Sequence, residues 1–243
     1  MSPVEIGMLS VVAIVVLVYM GLYIPIALGL VSFVSVWIMS GKSILAFNFL
    51  KIAVGDGVTE YNFATIPLFT LMGLLVSKAG LGRDIYDVMN STFRKVLAGI
   101  GMATVGANAV FAAITGSSIA SASVFTKISV PEMLRYNYNK RFAVGVVAGS
   151  SVLGMIIPPS AMLIIYSFIS EQSVGDMFLA GIVPGLLLTG AYIFAIFAMA
   201  RIWPSYIGQD IKADEMPALD TSETIHKAWP VIALIFLVLG GIY

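Results

Sequence analysis

The stretch Gly149-Ser150-Ser151-Val152-Leu153-Gly154-Met155-Ile156-Ile157-Pro158-Pro159-Ser160 decides the fold of this 243-residue chain. It lies within an apolar run, residues 142–169, that is long enough to cross a bilayer. Two central prolines remove the backbone donors that the carbonyls of Gly154 and Met155 would use in a helix. The pattern predicts a broken helix with free carbonyls and a positive helix N-terminus at mid-membrane. The simpler interpretation is a proline kink that neighbouring helices absorb.

The composition is that of an integral membrane protein. Hydrophobic residues make up 59% of the chain and charged residues 11%, against about 25% charged residues in soluble domains. The mean hydropathy is +1.00. Basic and acidic residues balance at 13 each, so the charge indicates no nucleic-acid partner. The absence of Cys and a single His predict no Cys- or His-ligated metal and argue against an intramembrane Ser-His hydrolase. We expect no cofactor and no enzymatic activity. We expect a protein that crosses the membrane several times.

The first part of the chain is predicted to form scaffold helices. Residues 6–39 carry no charge, and as one helix they would be about 51 Å long, well beyond a hydrocarbon core of about 30 Å. Gly21 and Pro25 favour two shorter spans over one sharply kinked span. Residues 41–61 predict an interfacial helix that ends in a loop at Gly55-Asp56-Gly57. The leading apolar segment lacks the features of a removable signal peptide, so we expect it to stay in the membrane.

Residues 79–95 alternate charged and apolar side chains at helical spacing, which is typical of an amphipathic helix on the membrane surface. Two roles remain open for it. The helix is either a plain surface connector or a brace at the edge of a moving domain.

Residues 96–127 predict a re-entrant hairpin. Both flanking segments are basic, which places both on the cytoplasmic side by the positive-inside rule. The apolar part is too short for two full crossings, so a hairpin that dips about halfway, with its tip near Thr115-Gly116-Ser117-Ser118, accounts for both facts. Small residues spaced four apart through the tip also suit close helix packing without any ligand.

Hard oxygen donors at this tip and at the proline break suggest a Na⁺ site. The candidate ion and substrate site consists of Gly116, Ser117, Ser118, Gly154, Met155, Pro158, Pro159 and Ser160. Of these, Gly116, Ser118, Gly154 and Ser160 are the candidate Na⁺ ligands. Neither apolar run carries an Asp, Glu, Lys or Arg. Because an internal proton relay needs such groups, Na⁺ is favoured over H⁺ as the coupling ion.

The two motifs resemble those of a known family. The segments 111–120 and 153–160, in this order, are similar to the best-marked stretches in the first half of the large membrane (permease) subunit of TRAP transporters, the tripartite ATP-independent periplasmic transporters. Ile66-Pro67-Leu68-Phe69 and Ala180-Gly181-Ile182-Val183-Pro184-Gly185 also match family segments. The resemblance covers the whole chain.

The resemblance implies an all-α, inverted-repeat, elevator-type Na⁺ symporter for a carboxylate such as a C4-dicarboxylate. Its partners would be a small four-helix membrane subunit and a periplasmic substrate-binding protein, and its implied location is the cytoplasmic (inner) membrane of a bacterium or archaeon. Ser117, Ser118 and Ser160 would face ion or substrate. The implied organisation is scaffold and surface helices in 1–95, a transport unit in 96–200 (hairpin 96–127, broken helix 142–169, following span 177–200), an inter-repeat loop in 201–228, and the truncated start of a second repeat in 229–243.

Two alternatives remain open at this stage. One is a Na⁺-dicarboxylate symporter of similar architecture that uses no binding protein. The other is a non-transporting membrane scaffold or assembly subunit.

Overall fold

The fold is described from a computed structural model that covers residues 2–59, 65–207 and 221–242. Within these residues the chain forms thirteen helices and no strand, which confirms the prediction of an all-α protein. The helices are α1 (Pro3–Tyr19), α2 (Ile24–Ser40), α3 (Ser43–Thr59), α4 (Thr65–Lys78), α5 (Leu81–Phe93), α6 (Gly99–Thr115), α7 (Ser118–Arg135), α8 (Lys140–Ser151), α9 (Leu153–Ile156), α10 (Ala161–Ile169), α11 (Val174–Ile202), α12 (Pro204–Ile207) and α13 (Thr221–Ile242).

Helices α1 to α3 belong to a first compact unit, Met1–Phe63. A capping box begins α1: the N–H of Glu5 donates to Ser2 Oγ (3.3 Å) and the N–H of Ser2 donates to the Glu5 carboxylate (2.9 Å). The chain turns at Gly21, whose φ is +91°, and α2 starts with Pro25 in its first turn. The predicted division of residues 6–39 into two helices is confirmed.

The loop predicted at Gly55-Asp56-Gly57 was wrong. Helix α3 continues through these residues to Thr59. A glycine costs a helix interior only about 1 kcal/mol relative to alanine, so helix propagation tolerates two of them. Many large apolar side chains of the first unit are exposed, as expected of surfaces that face lipid: Met8, Leu9, Val12, Trp37, Ile44, Phe47 and Phe49.

Helix α6 is the core of the second compact unit, Ala64–Tyr243. Nearly all its residues are buried, and it contacts α4, α5, α7, α8, α9, α11 and α13. A tight turn precedes it: Ala98 has a left-handed φ of +58°, and a Cβ on Gly99 would overlap the carbonyl oxygen of Phe93. This turn folds α5 back onto α6, and α5 buries Ile85 and Tyr86 there.

Helices α6 and α7 form an antiparallel hairpin that turns at Gly116 and Ser117. Phe111 packs edge-on against Phe125 at a centroid distance of 5.5 Å. Further from the turn, Thr104 of α6 is hydrogen-bonded to Ser129 of α7, as expected of an antiparallel pair. Helix α7 runs past residue 127 to Arg135, so this arm is longer than predicted. Helix α6 alone is about 26 Å long, which allows a deeper insertion than the predicted half depth. Re-entry into the membrane stays a prediction.

The predicted break in the second apolar run is confirmed. The arm α8–α9 ends at Ile156, and α10 begins at Ala161 with a bend of 44°. In the described residues, α11 is the one unbroken helix long and apolar enough to cross a membrane, and the bent pair is a second candidate span. The inverted repeat and the elevator mechanism stay predictions.

Helix α13 begins at Thr221, inside the segment predicted to be a loop. Lys227 Nζ donates to the Asp87 carboxylate of α5 at 2.7 Å, and Arg83 Nε lies 3.4 Å from the same carboxylate. The hydrogen bond with Asp87 raises the pKa of Lys227. This ion pair, together with Glu223 near the positive end of α13, accounts for helix formation in a polar segment.

Candidate ion and substrate site

The hairpin tip at Gly116 lies directly against the helix break at Pro159. A Cβ atom on Gly116 would overlap the carbonyl oxygen of Pro159 and lie 3.3 Å from Cα of Ser160. The N–H of Ala161 donates to the Gly116 carbonyl at 3.4 Å. Gly116 also has a left-handed φ of +59°, a conformation that crowds any side chain. The tip and the break therefore form one junction, which we call the tip–break junction (residues 115–118 and 154–161).

Gly154 makes the second close approach in this junction. A Cβ atom there would lie 2.8 Å from the carbonyl carbon of Ser117 and from the backbone nitrogen of Ser118, which is closer than side-chain atoms pack in proteins. Glycine is thus required at both contact points. The structure brings the predicted site residues of both motifs together.

Four helix ends meet at the tip–break junction. Helix α6 and the arm α8–α9 end there, and the last carbonyls of a helix lack intrahelical donors and carry partial negative charge. Helices α7 and α10 begin there, and their first N–H groups carry partial positive charge. One small volume therefore offers oxygen ligands for a cation and backbone donors for an anion.

One of the two carbonyls freed by the prolines is already engaged. The buried hydroxyl of Ser160 donates to the Met155 carbonyl at 2.7 Å. This bond replaces the donor that Pro159 cannot supply and fixes the rotamer of Ser160, whose oxygen keeps acceptor capacity. The side chain of Met155 is 40% exposed, so Met155 contributes to the junction through its backbone.

The two tip serines differ in their contacts. Ser117 is the N-cap of α7, and its hydroxyl accepts from the N–H of Ala120 at 3.3 Å. Ser118, in the first turn of α7, is half-buried beside Gly154. Of the two, Ser118 is the better placed to offer its hydroxyl to a ligand, because the Ser117 hydroxyl already caps the helix.

The junction is built without ionisable side chains. Residues 96–126 and 142–170 contain no Asp, Glu, Lys or Arg, and in the described part of the chain no three His, Cys, Asp or Glu side chains cluster as metal ligands do. The available ligands are therefore the neutral oxygen atoms of hydroxyl and carbonyl groups. A weakly held monovalent hard cation suits such a set better than a divalent or transition metal, which usually takes carboxylate, imidazole or thiolate ligands.

Two glycines that position the break were not predicted as site residues. A Cβ on Gly181 of α11 would lie 2.8 Å from the Ile156 carbonyl oxygen, and one on Gly185 would lie 2.7 Å from Cγ1 of Ile157. Their Gly-x-x-x-Gly spacing places both on one face of α11, which lets the helix seat closely on the broken segment. That spacing was the available sequence signal.

A buried polar link supports the hairpin behind its tip. Asn108 Nδ2 donates to Ser150 Oγ at 2.7 Å and to the Thr104 carbonyl at 3.2 Å, and Ser150 donates to the Val146 carbonyl at 2.6 Å. The hydroxyls of Thr104 and Ser129 are also hydrogen-bonded. The link connects α6 to both α7 and α8, so it holds the hairpin in register with the arm that leads to the break.

Neutral oxygen atoms at a broken-helix junction, in an all-helical and strongly apolar chain, define a membrane protein of the helical permease type. The sequence profile of the family described as "Tripartite ATP-independent periplasmic transporter, DctM component" matches residues 11–243. The chain belongs to this family, which confirms the resemblance found in the sequence motifs.

Three relatives show the range of the similarity. The C4-dicarboxylate TRAP transporter large permease protein DctM of Pseudomonas aeruginosa is 32% identical over 198 residues, 80% of this chain and 44% of the relative. The isethionate TRAP transporter permease protein DctMQ of Oleidesulfovibrio alaskensis is 28% identical over 90% of this chain and 34% of the relative. The sialic acid TRAP transporter large permease protein SiaM of Vibrio cholerae is 31% identical over 58% of this chain and 33% of the relative. The chain spans less than half the length of these three relatives.

Proposed function

We propose that this protein takes part in secondary active transport, as the large permease component of a Na⁺-coupled symporter for an organic acid. The observation that carries the proposal is the tip–break junction, where neutral oxygens and helix N-termini meet without an ionisable side chain. Family membership supports a permease role. The named substrates of the relatives are organic acids: C4-dicarboxylates and sialic acid are carboxylates, and isethionate is a sulfonate. A carboxylate is the proposed substrate class, because two of these three substrates carry one.

The junction has two chemically distinct halves. Na⁺ binds among the carbonyls of Gly116 and Gly154 and the hydroxyls of Ser118 and Ser160. The carboxylate lies at the N-termini of α7 and α10, each of which contributes about 0.3–1 kcal/mol to anion binding and more when partly buried. Bound Na⁺ places a full positive charge beside the carboxylate site, so each ligand raises the affinity for the other. This mutual effect couples the binding of Na⁺ to the binding of the carboxylate.

Transport follows an elevator mechanism in this proposal. The interlocked contacts at Gly116 and Gly154 make the hairpin and the broken helix one body, so they move together and keep the site intact. A small four-helix subunit in the inner membrane and a periplasmic substrate-binding protein complete the system. The word "tripartite" in the family description supports three components.

Uptake by full-length protein, reconstituted with its partners in proteoliposomes, tests the proposal. A Na⁺ gradient should drive accumulation of radiolabelled succinate, and a K⁺ or a proton gradient should not. Ser118→Ala should weaken Na⁺ binding by roughly five- to hundredfold, as expected for loss of one oxygen contact worth about 1–3 kcal/mol. Ser170→Ala, at a half-buried serine at the far end of α10, is the matched control and should leave uptake unchanged.

Three results would contradict the proposal, each at a different level. Equal uptake with a K⁺ gradient would rule out Na⁺ coupling. Normal Na⁺ dependence in Ser118→Ala would favour the interpretation of the tip as close helix packing alone. Full uptake without a binding protein would rule out the tripartite arrangement and would favour a symporter that uses no binding protein.

A further inference from the structure

A groove away from the tip–break junction runs between α8, α11 and α12. It encloses about 300 Å³, and its lining is mostly apolar, with Phe142, Val146 and Ile196 along its wall. Gly145 and Gly149 form its floor because they lack side chains, and a Cβ on Gly145 would meet no atom within 4 Å. The groove is therefore a slot on an apolar helix surface rather than a packing defect in the core.

The groove has one polar end. Helices α8 and α11 are antiparallel, since Arg141 and Met199 line the same groove and a Cβ atom on Gly149 would lie 3.6 Å from Cε1 of Tyr192. Arg141 and Tyr206 therefore lie at the mouth, and Gly149 lies about 12 Å further in, eight residues along α8. The N–H of Asn139 donates to the Ile207 carbonyl at 2.7 Å, which holds α12 at this mouth.

The mouth is positively charged and aromatic. Lys140, Arg141 and Arg201 are all exposed at this end, and residues 139–145 and 199–207 contain no Asp or Glu. Among the described residues, no carboxylate pairs with the Arg141 guanidinium. Trp203 is 59% exposed and Tyr206 is 46% exposed. Cationic and amphipathic aromatic side chains of this kind are enriched where a helix passes through the headgroup layer.

We infer that this groove binds an anionic phospholipid of the cytoplasmic leaflet. The phosphate lies at Arg141, whose planar guanidinium matches phosphate oxygens in a fork geometry, and Tyr206 lies beside it. One acyl chain lies along Gly145 and Gly149 towards Tyr192. The basic character of this end places it on the cytoplasmic side, where the leaflet is anionic. The inference requires the chain to be in a membrane but does not depend on Na⁺ coupling or on the substrate.

Native mass spectrometry of the purified protein in a neutral detergent, titrated with phosphatidylglycerol, tests the inference. The parent should retain a bound phosphatidylglycerol in preference to phosphatidylethanolamine of the same acyl chains. Arg141→Gln should weaken phosphatidylglycerol about fivefold, the effect of one cation at an anionic surface, and should abolish the preference. Gly145→Leu, which fills the slot, should remove both lipids.

The controls match each variant in charge and bulk. Lys95→Gln removes an exposed cation outside the groove, and Gly190→Leu adds the same bulk at an open position of α11 that does not line it; both should bind like the parent. Inorganic phosphate should not compete at concentrations equal to the lipid. Parent-like binding in Arg141→Gln and Gly145→Leu, equal retention of both lipids by the parent, or displacement by free phosphate would each overturn the inference.

Discussion

Gly116 shows how a single residue links the two motifs. Its position at the hairpin turn was predicted from the sequence, because a glycine among small polar residues suits a tight turn. Its contact with Pro159 was not predictable, since nothing in the local sequence identifies the partner of a long-range contact. The structure supplies two separate reasons for glycine here, the left-handed φ and the neighbouring carbonyl oxygen.

Gly116→Ala is therefore expected to destabilise the protein, although it adds only one methyl group. The left-handed conformation costs a non-glycine residue about 1–2 kcal/mol. In addition, the new Cβ atom would overlap the Pro159 carbonyl oxygen, so the helix break would have to shift away from the tip. We expect a lower unfolding temperature and a weaker Na⁺-dependent rise of that temperature. Gly190→Ala, an exposed helical position with open space, should stabilise by about 0.5–1 kcal/mol. Equal unfolding temperatures for the two variants would contradict the close contact between Gly116 and Pro159.

Asn108 is a fully buried amide in the mostly apolar helix α6. Its partner Ser150 lies 42 positions further along the chain, so the sequence shows only that a buried polar group needs some partner. The pair fixes the rotation of α8 relative to α6, and hence the direction in which the broken segment meets the tip.

A double-mutant cycle measures this link. Asn108→Ala alone leaves the Ser150 hydroxyl without its donor and should cost about 1–3 kcal/mol of stability. Ser150→Ala alone should cost less, because Asn108 keeps its bond to the Thr104 carbonyl. The double variant should cost less than the sum by about 0.5–3 kcal/mol, measured as free energies of unfolding in one detergent. Additive effects would show that the two side chains do not depend on each other.

At the scale of helices, the number of adjacent prolines decides whether a helix breaks. Pro131, Pro184 and Pro230 each lie inside a helix that continues past them, whereas Pro158 and Pro159 together end one helix before the next begins. A single proline leaves one bond to replace, and the surrounding turns absorb it. Two adjacent prolines remove two successive donors. The break was therefore predictable from sequence, but its 44° bend and its engagement of Ser160 depend on tertiary packing.

Replacing both prolines of the break by alanine should remove Na⁺ coupling. A continuous helix uses the carbonyls of Gly154 and Met155 internally and moves the N-terminus of α10 away from Gly116. We expect normal membrane insertion and loss of both Na⁺-driven uptake and Na⁺-dependent thermal stabilisation. Ser160→Ala should weaken uptake less, because the backbone break stays.

Pro184→Ala is the control for the double variant. It restores a helix bond in α11 at an exposed position, so it should be at least as stable as the parent and respond normally to Na⁺. If the Pro158→Ala/Pro159→Ala protein behaves like this control, the break is not an ion site.

For the whole molecule, the sequence predicted which segments are helical better than how they are arranged. Hydrophobic runs and turn residues placed α1, α2, the hairpin and α11 close to their observed positions. They did not show that α6 is the central helix, because helices such as α4 and α11 are comparably apolar and hydropathy carries no information about which apolar surfaces pair. The predicted boundary after residue 95 and the role of residues 96–200 as a transport unit stay predictions.

The topology of the hairpin can be tested by labelling, because the chain has no cysteine. Cysteines placed at Arg94 and Lys127 should react with a membrane-impermeant reagent from the same face, the cytoplasmic one. A cysteine at Ser118 should not react from that face in the absence of Na⁺ and substrate gradients, since the tip is packed against the break. Labelling of positions 94 and 127 from opposite faces would make this segment a single crossing.

The ion pair between Asp87 and Lys227 has a consequence for biosynthesis. Its members lie 140 positions apart, so at about 5–20 residues per second α5 waits roughly 7–28 s before its partner helix leaves the ribosome. During that interval the face of α5 that receives α13 has no partner from later in the chain. Insertion must therefore proceed with an incomplete helix cluster, and the carboxylate of Asp87, which also pairs with Arg83, marks the place where α13 docks.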